Sequence, residues 1–415
     1  MNRIFYICFL LILPLTVFAE ETDTAQDMNM HGFYGDYPVT RESSGTAWVP
    51  DSSPMEGIHN MYGNWMTMAH GYADTIYDDQ GGERGGAKTF SESMLMGMAS
   101  HPLEGGTIGL RGMMSLDPAM GKDGYPLLLQ TGETADGRTP LIDRQHPHDL
   151  FMELATTYSH PITDNSSAFV YAGYPGEPAL GPATFMERFS GMDNPEAPIS
   201  HHWLDSTHIS YGVTTLGYIW RNWKIETSAF NGREPDQYRW NFDSPGLNSY
   251  SGRLTYNPTA NWSLQVSHGY INSPEQLEPD VNQHRTTASA MYNLPFADKN
   301  WQTTFAWGRN NDSPGHTLDA FLLESAIKLH DTHTFFGRAE DVEKDDLFES
   351  PDQLTGQIFR VNEFTLGYIY DFPAIEHLRI GIGGLGSIYA LPDGLTPYYG
   401  NDPISFMLFA RIKLD

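Results

Sequence analysis

The sequence predicts an all-β fold, a transmembrane antiparallel β-barrel of about sixteen strands with short turns at one end and long loops at the other. Three observations predict it. An export signal opens the chain, and beyond it no apolar run reaches the length of a transmembrane helix. The chain is rich in aromatic residues and glycine, with 22 Tyr, 22 Phe, 9 Trp and 40 Gly. From about residue 60 it falls into segments of roughly ten to fifteen residues with two-residue alternation. A closed barrel satisfies every backbone polar group in lipid without helices.

Residues 1–19 read as a secretory signal. Arg3 supplies the positive start, Ile4 to Val17 the apolar run, and Val17-Phe18-Ala19 the small-residue cleavage site. The run is short and contains Pro14, which disfavours a permanent helix. Cys8 lies inside this signal and is the only cysteine, so the mature chain offers no disulfide and no thiolate ligand. Residues 20–59 are polar and rich in Gly, Pro and Ser, as expected of a flexible periplasmic or plug segment.

Residues 60–415 form the expected barrel. Its segments are about 61–73, 88–100, 105–117, 148–160, 165–175, 207–221, 223–231 and 249–257, then about 261–271, 284–293, 300–309, 317–329, 331–341, 360–371, 376–390 and 404–414. In 148–160, Leu150, Met152, Leu154, Thr156 and Tyr158 share one face. Links such as Pro161 to Asp164, Arg221-Asn222 and His330 are short. The alternate links 118–147, 176–206, 232–248 and 342–359 are long. That sorting is the outer-membrane pattern, with long loops outside and both termini in the periplasm. The last segment, Ile404 to Asp415, alternates like a closing strand but ends in aspartate, not an aromatic residue. A helix over 60–77, or a secreted sandwich or propeller for the whole chain, are the alternatives.

The net charge of −28 argues against nucleic acid or an anionic lipid face as partner and favours attraction of cations. The expected partners are outer-membrane lipid and a metal ion or small solute; oligomeric state stays open.

Residues 143–208 concentrate potential ligands. They open with Asp143-Arg144-Gln145-His146-Pro147-His148-Asp149 and close with His201-His202-Trp203-Leu204-Asp205-Ser206-Thr207-His208. His146, His148, His201, His202 and His208, with Asp149 or Asp205, are candidate ligands of a divalent metal, since imidazole and carboxylate suit zinc, copper or nickel. The alternative is a polar network that pins these loops to the barrel wall.

Twelve of the 18 methionines lie between Met28 and Met120. They recur beside histidine, as in Met28-Asn29-Met30-His31, Met66-Thr67-Met68-Ala69-His70 and Met94-Leu95-Met96-Gly97-Met98-Ala99-Ser100-His101. Thioether and imidazole together are a copper(I) ligand set, so Met28, Met30 and His31 are further candidates. Lipid or core packing is the other reading of Met94, Met96 and Met98.

A third group is charged: Arg233 and Arg239 in the Asn231 to Asp243 stretch, with Glu226, Arg253, Arg338 and Glu340 on polar strand faces. These suggest ion pairs across a lumen or reinforcement of its wall. Catalytic signatures are weak. Ser206 and His208 lack a nucleophile elbow. Gly81-Gly82-Glu83-Arg84-Gly85-Gly86 lacks the lysine and helix of a phosphate cradle.

At Asp143 to Glu153, Gly173 to Pro182, His201 to His208 and Gly232 to Trp240 the sequence resembles a family of uncharacterised Gram-negative outer-membrane barrels, which implies fold and location only. The Met/His-rich early region separately resembles, in composition, the copper-resistance outer-membrane proteins of the CopB and PcoB type, which implies copper without assigning a ligand. The combined expectation is a non-enzymatic outer-membrane channel or metal-binding barrel, in copper or heavy-metal tolerance, with copper or zinc as its ion. The alternatives are a general or solute-specific porin, an outer-membrane hydrolase, and a scaffold or adhesin acting through its loops.

Overall fold

The computed structural model describes residues 31–375 and 377–414. A short arm, β1 (Ile58–Tyr62), pairs with the beginning of β2 (Trp65–Gln80). β3 (Gly86–Leu103) and β4 (Gly106–Met114) follow. β5 (Tyr125–Thr134) and β6 (Pro140–Gln145) form a separate ribbon within a long loop. The wall resumes with β7 (Phe151–Thr163), β8 (Ser166–Gly173), β9 (Val213–Trp220), β10 (Trp223–Phe230), β11 (Ser249–Tyr256) and β12 (Trp262–Asn272). It continues with β13 (Asn282–Phe296), β14 (Lys299–Ser313), β15 (Thr317–Leu329), β16 (His333–Lys344), β17 (Phe359–Ile375), β18 (Leu378–Ala390) and β19 (Ile404–Leu414). Strands β2–β4 and β7–β19 are sixteen, each antiparallel to the next. β19 closes the ring on β2, from Phe406 opposite Asp79 to Leu414 opposite Gly71.

Period-two alternation gives each strand two chemical faces. Leu216, Ile225, Val266, Leu366 and Leu408 point outward and are exposed, as a lipid-facing surface requires. Trp220, Trp223, Trp262 and Trp301 lie exposed near the short turns, forming an aromatic girdle. The inward face is largely Ser, Thr and paired charges, including Thr215, Ser251, Thr287 and Ser387. Leu366, in the middle of β17, is 77 % exposed. Leu366→Arg is expected to lower stability in lipid vesicles by ~2–4 kcal/mol, read by denaturant unfolding; a loss below ~1 kcal/mol would show that this face does not meet lipid.

The tight turns suit the strand twist. Between β3 and β4, Glu104 (φ 48°) and Gly105 (φ 77°) both adopt left-handed backbone, the two-residue geometry that matches right-handed strands.

Two segments fill the interior. The N-terminal stretch enters the barrel beyond Gly32. Tyr34 packs on Phe169 with ring centroids 4.5 Å apart. Arg111 donates to the carbonyls of Gly45 (2.6 Å) and Ser43 (2.7 Å), and Ser159 to that of Phe33 (2.7 Å). The loop 174–212 between β8 and β9 folds inward from the opposite end, and nearly all of it is buried.

Three expectations change. The strand expected over 207–221 begins at Val213, because His201–Leu204 form a helical turn, α1, and Ser206–His208 a 3-10 turn inside the barrel. The stretch 118–147 is partly ordered as the β5–β6 ribbon. The helical alternative over 60–77 is replaced by β1 and β2. Backbone pairing with β3 and β19 satisfies this segment better than an isolated helix in lipid.

Candidate functional site

Five histidines from two separate loops meet inside the barrel. His146 and His148 follow β6; His201 and His202 open α1; His208 ends the next turn. Their rings form a continuous chain. Centroid distances are 6.2 Å for His146–His202, 5.6 Å for His202–His201, 5.1 Å for His201–His208 and 5.4 Å for His208–His148.

In four of these rings Nδ1 is committed to an oxygen. His146 Nδ1 donates to the Pro147 carbonyl (3.2 Å), and His148 Nδ1 to Asp117 (2.9 Å). His201 Nδ1 donates to Asp205 Oδ1 (2.7 Å), and His208 Nδ1 to the Asp205 carbonyl (2.9 Å). An Nδ1–H donated in this way leaves the lone pair on Nε2. The Nε2 atoms of His146, His202 and His208 are buried without a hydrogen-bond partner.

Glu234, from the loop after β10, joins His146 and His202. Ligand atoms of these three residues lie within 4.8 Å of one another. His202 Nε2 stands 3.6 Å from Glu234, and His146 Nε2 3.9 Å from Glu133 on β5. Close backbone approach makes room for the rings: a Cβ on Gly132, whose φ is +111°, would sit 2.7 Å from the His202 ring.

The electrostatics differ from group to group. Burial pushes His146 down to about 3, so it is neutral at pH 7. Burial also opposes a charge on His202, but Glu234 beside it outweighs that and raises its pKa. Burial opposes the Glu234 carboxylate in turn, yet His202 holds it down at about 2. Neighbouring Glu275 is pushed up to about 8 by burial and by Glu234.

The cluster hangs on Arg188. Its guanidinium is fully buried and pairs with Asp205 Oδ2 (2.6 Å) and with Glu324 of β15 (2.6 Å). Asp205 therefore ties two histidines to the wall through one arginine. Further along the loop, Ser200 donates to Glu340 through both its amide (2.9 Å) and its hydroxyl (2.5 Å). Glu196 accepts from Thr365 (2.7 Å), and Asp193 pairs with Arg411 (2.7 Å).

Asp149, expected near the metal, does not join the rings. It accepts from the Tyr211 hydroxyl (2.7 Å) and pairs with Arg239 (3.2 Å), so its carboxylate is taken up by the inserted loop and the β10–β11 loop. Arg239 also pairs with Glu133. Glu226 pairs with Arg253 (3.0 Å) and Arg338 with Glu340 (3.0 Å), but these charges do not span an open lumen. Arg253 reaches the Gly181 carbonyl (3.1 Å) and Arg338 the Glu196 carbonyl (2.7 Å), so they grip the inserted loop. Arg233 forms no ion pair among the described residues and donates to the Ser273 carbonyl (2.8 Å). Met28 and Met30 lie outside the described residues. His31 is exposed and pairs with Asp36 (2.7 Å), away from the cluster. Ser206 accepts from Arg285 (3.0 Å), and His208 Nδ1 is held by a carbonyl, so the two are not joined as nucleophile and base. Met94, Met96 and Met98 are buried on the inner face, which removes lipid packing as their explanation.

Sequence reasoning missed Glu133, Asp117, Glu234 and Arg188 as members of this site. Glu234 stood in a stretch already marked by its charges; the other three carried no local signal.

No protein-family model matches the chain, and no curated protein resembles it in sequence. Solved outer-membrane barrels share its fold. An anion-selective porin from Comamonas acidovorans is 10 % identical, with 84 % of this chain and all of that one covered, at a TM-score of 0.50. Pseudomonas putida OprB, in a high-pH structure, is 9 % identical over 85 % of this chain and 94 % of that one, at 0.54. Salmonella typhi OmpF, in complex with daunomycin, is 7 % identical over 86 % of this chain and all of that one, at 0.52. None of these comparisons supports the likeness of the early region to copper-resistance proteins.

Proposed function

We propose that this chain is an outer-membrane channel closed by its own inserted segments and cross-linked by a divalent transition-metal ion, zinc or copper(II), at His146, His202 and Glu234. The observation that carries the reading is the convergence of ligand atoms of His146, His202 and Glu234 within 4.8 Å, with both Nε2 atoms buried and unpartnered; the Pro147 carbonyl on His146 Nδ1 is the kind of outer contact that orients a metal-bound histidine. Two imidazoles and a carboxylate suit zinc or copper(II). The three residues belong to three different loops, after β6, after β8 and after β10. One ion there ties together segments that are far apart in sequence and holds the closed arrangement. In this reading the long loops face outward, and outer-membrane lipid covers the apolar outer face.

The test is zinc(II) and copper(II) titration of the full mature protein in detergent, against a variant with His146, His148, His201 and His202 changed to Ala. One equivalent bound by the wild type and lost in the variant supports the reading. Binding no tighter than that of an unrelated porin overturns it. A solute porin without a metal role is the second reading, favoured by the barrel fold. Planar-bilayer conductance separates the two: a metal-locked channel conducts more after chelation, and a plain porin ignores the chelator. Removing residues 20–57 is expected to raise conductance in either case, because the buried stretch from Phe33 to Val49 fills the lumen. Unchanged conductance would mean that the 174–212 loop alone seals the barrel.

A further inference from the structure

On most strands the inner face is hydroxyl or charge, but part of it on β2 and β3 carries methionine. Met94, Met96 and Met98 of β3 all point inward, while Leu95 between them is exposed on the outer face. Across the pair, Met98 stands opposite Met68, and Met96 opposite His70. His70 Nε2 lies 3.1 Å from Met96 Sδ. Glu187, from the inserted loop, brings Oε1 to 3.8 Å from the same nitrogen; that oxygen is buried and has no hydrogen-bond partner. Met68, His70, Met96, Met98 and Glu187 line one cavity of about 90 Å³.

We infer that this cavity is a separate site for a soft monovalent d10 cation, copper(I) or silver(I), bound by His70, Met68, Met96 and Met98. Packing explains methionine on an apolar surface, but it leaves an imidazole nitrogen against a thioether and a buried carboxylate oxygen without a hydrogen bond near that nitrogen. Thioether and imidazole select copper(I) over harder ions. A bound cation would give the buried Glu187 oxygen, which has only His70 at 3.8 Å, a closer positive partner. The cavity exceeds the volume of one water molecule, so an ion fits without moving the wall. His59 of β1 sits opposite Met68 with a buried, unpartnered Nε2, placing another imidazole on the same face. None of these residues belongs to the His146–His202–Glu234 group, so the inference stands apart from that site.

The probe is copper(I), titrated anaerobically into the full mature protein in detergent against a chromogenic copper(I) chelator. One tightly bound equivalent is expected. The double variant Met96→Leu/Met98→Leu keeps side-chain volume and the apolar face and is expected to weaken copper(I) binding by about 10-fold or more, leaving zinc(II) binding unchanged. His202→Ala is expected to do the reverse. X-ray absorption at the copper edge of the wild-type protein is expected to show sulfur neighbours, a readout that needs no variant to fold. Copper(I) affinity equal in wild type and the Met96→Leu/Met98→Leu variant, or a spectrum without sulfur, would overturn the site and leave the methionines as packing for the inserted segments.

Discussion

Replacing Arg188 by methionine is expected to release the 174–212 loop and open the lumen. The guanidinium is fully buried and satisfies three acceptors, Asp205 (2.6 Å), Glu324 (2.6 Å) and the Ala183 carbonyl (2.7 Å). Methionine leaves two carboxylates in the interior without their counter-charge. Breaking a buried charge network from one side costs ~3–5 kcal/mol, and that penalty falls on the docked state of the loop. The sixteen-strand ladder is untouched, so the barrel is expected to keep its resistance to unfolding in detergent. Conductance should rise in planar bilayers. Zinc affinity should fall as well, because Asp205 also orients His201 and His208. Arg188→Lys restores the charge but not the two-pronged geometry and is expected to rescue only part of the effect. Wild-type conductance in Arg188→Met would show that the grips of Ser200 on Glu340 and of Glu196 on Thr365 hold the loop without it.

The second large effect is expected from His202→Ala, which removes one of the three proposed ligands. Zinc(II) affinity should fall by at least the 10–100-fold that loss of a merely orienting partner causes, roughly. Asp149→Asn is the contrasting change: its carboxylate serves Tyr211 and Arg239, so zinc affinity should be near that of the wild type. Equal losses in both variants would mean that the effect comes from general loosening of the loops. The pH dependence has a definite sign. Metal binds the neutral imidazole. His146 is already neutral, its pKa pushed down to about 3 by burial. Burial works against protonation of His202, but Glu234 more than offsets it and raises the value. Affinity is therefore full above the raised His202 pKa and is lost as pH falls through it, as isothermal titration at several pH values would read.

How much of this was legible beforehand differs between wall and interior. Each of the sixteen expected segments overlaps one barrel strand, from Trp65–Gln80 to Ile404–Leu414. That pattern is local: a strand writes its two faces into every second residue, and loop length shows which turns are tight. The histidines of 143–208 also stood out, because imidazoles crowded into one loop-rich stretch are visible without any fold.

Alternation alone does not say which face is inner. Met94, Met96 and Met98 were open to a lipid reading, since an apolar face next to lipid is the ordinary case in a barrel. They turn inward because residues 31–57 and 174–212 occupy the lumen and give it apolar patches to cover. The members of the proposed metal group were beyond local reading for a related reason. Glu234 joins His202 and Asp149 does not, although Asp149 is the direct neighbour of His148 in sequence. Sequence by itself determined the closed wall, because each strand needs only its neighbours and the lipid to define it. Tertiary structure alone decided what the wall encloses, because contacts such as Arg188 with Glu324, 136 residues apart, form only after closure brings opposite sides of the barrel together.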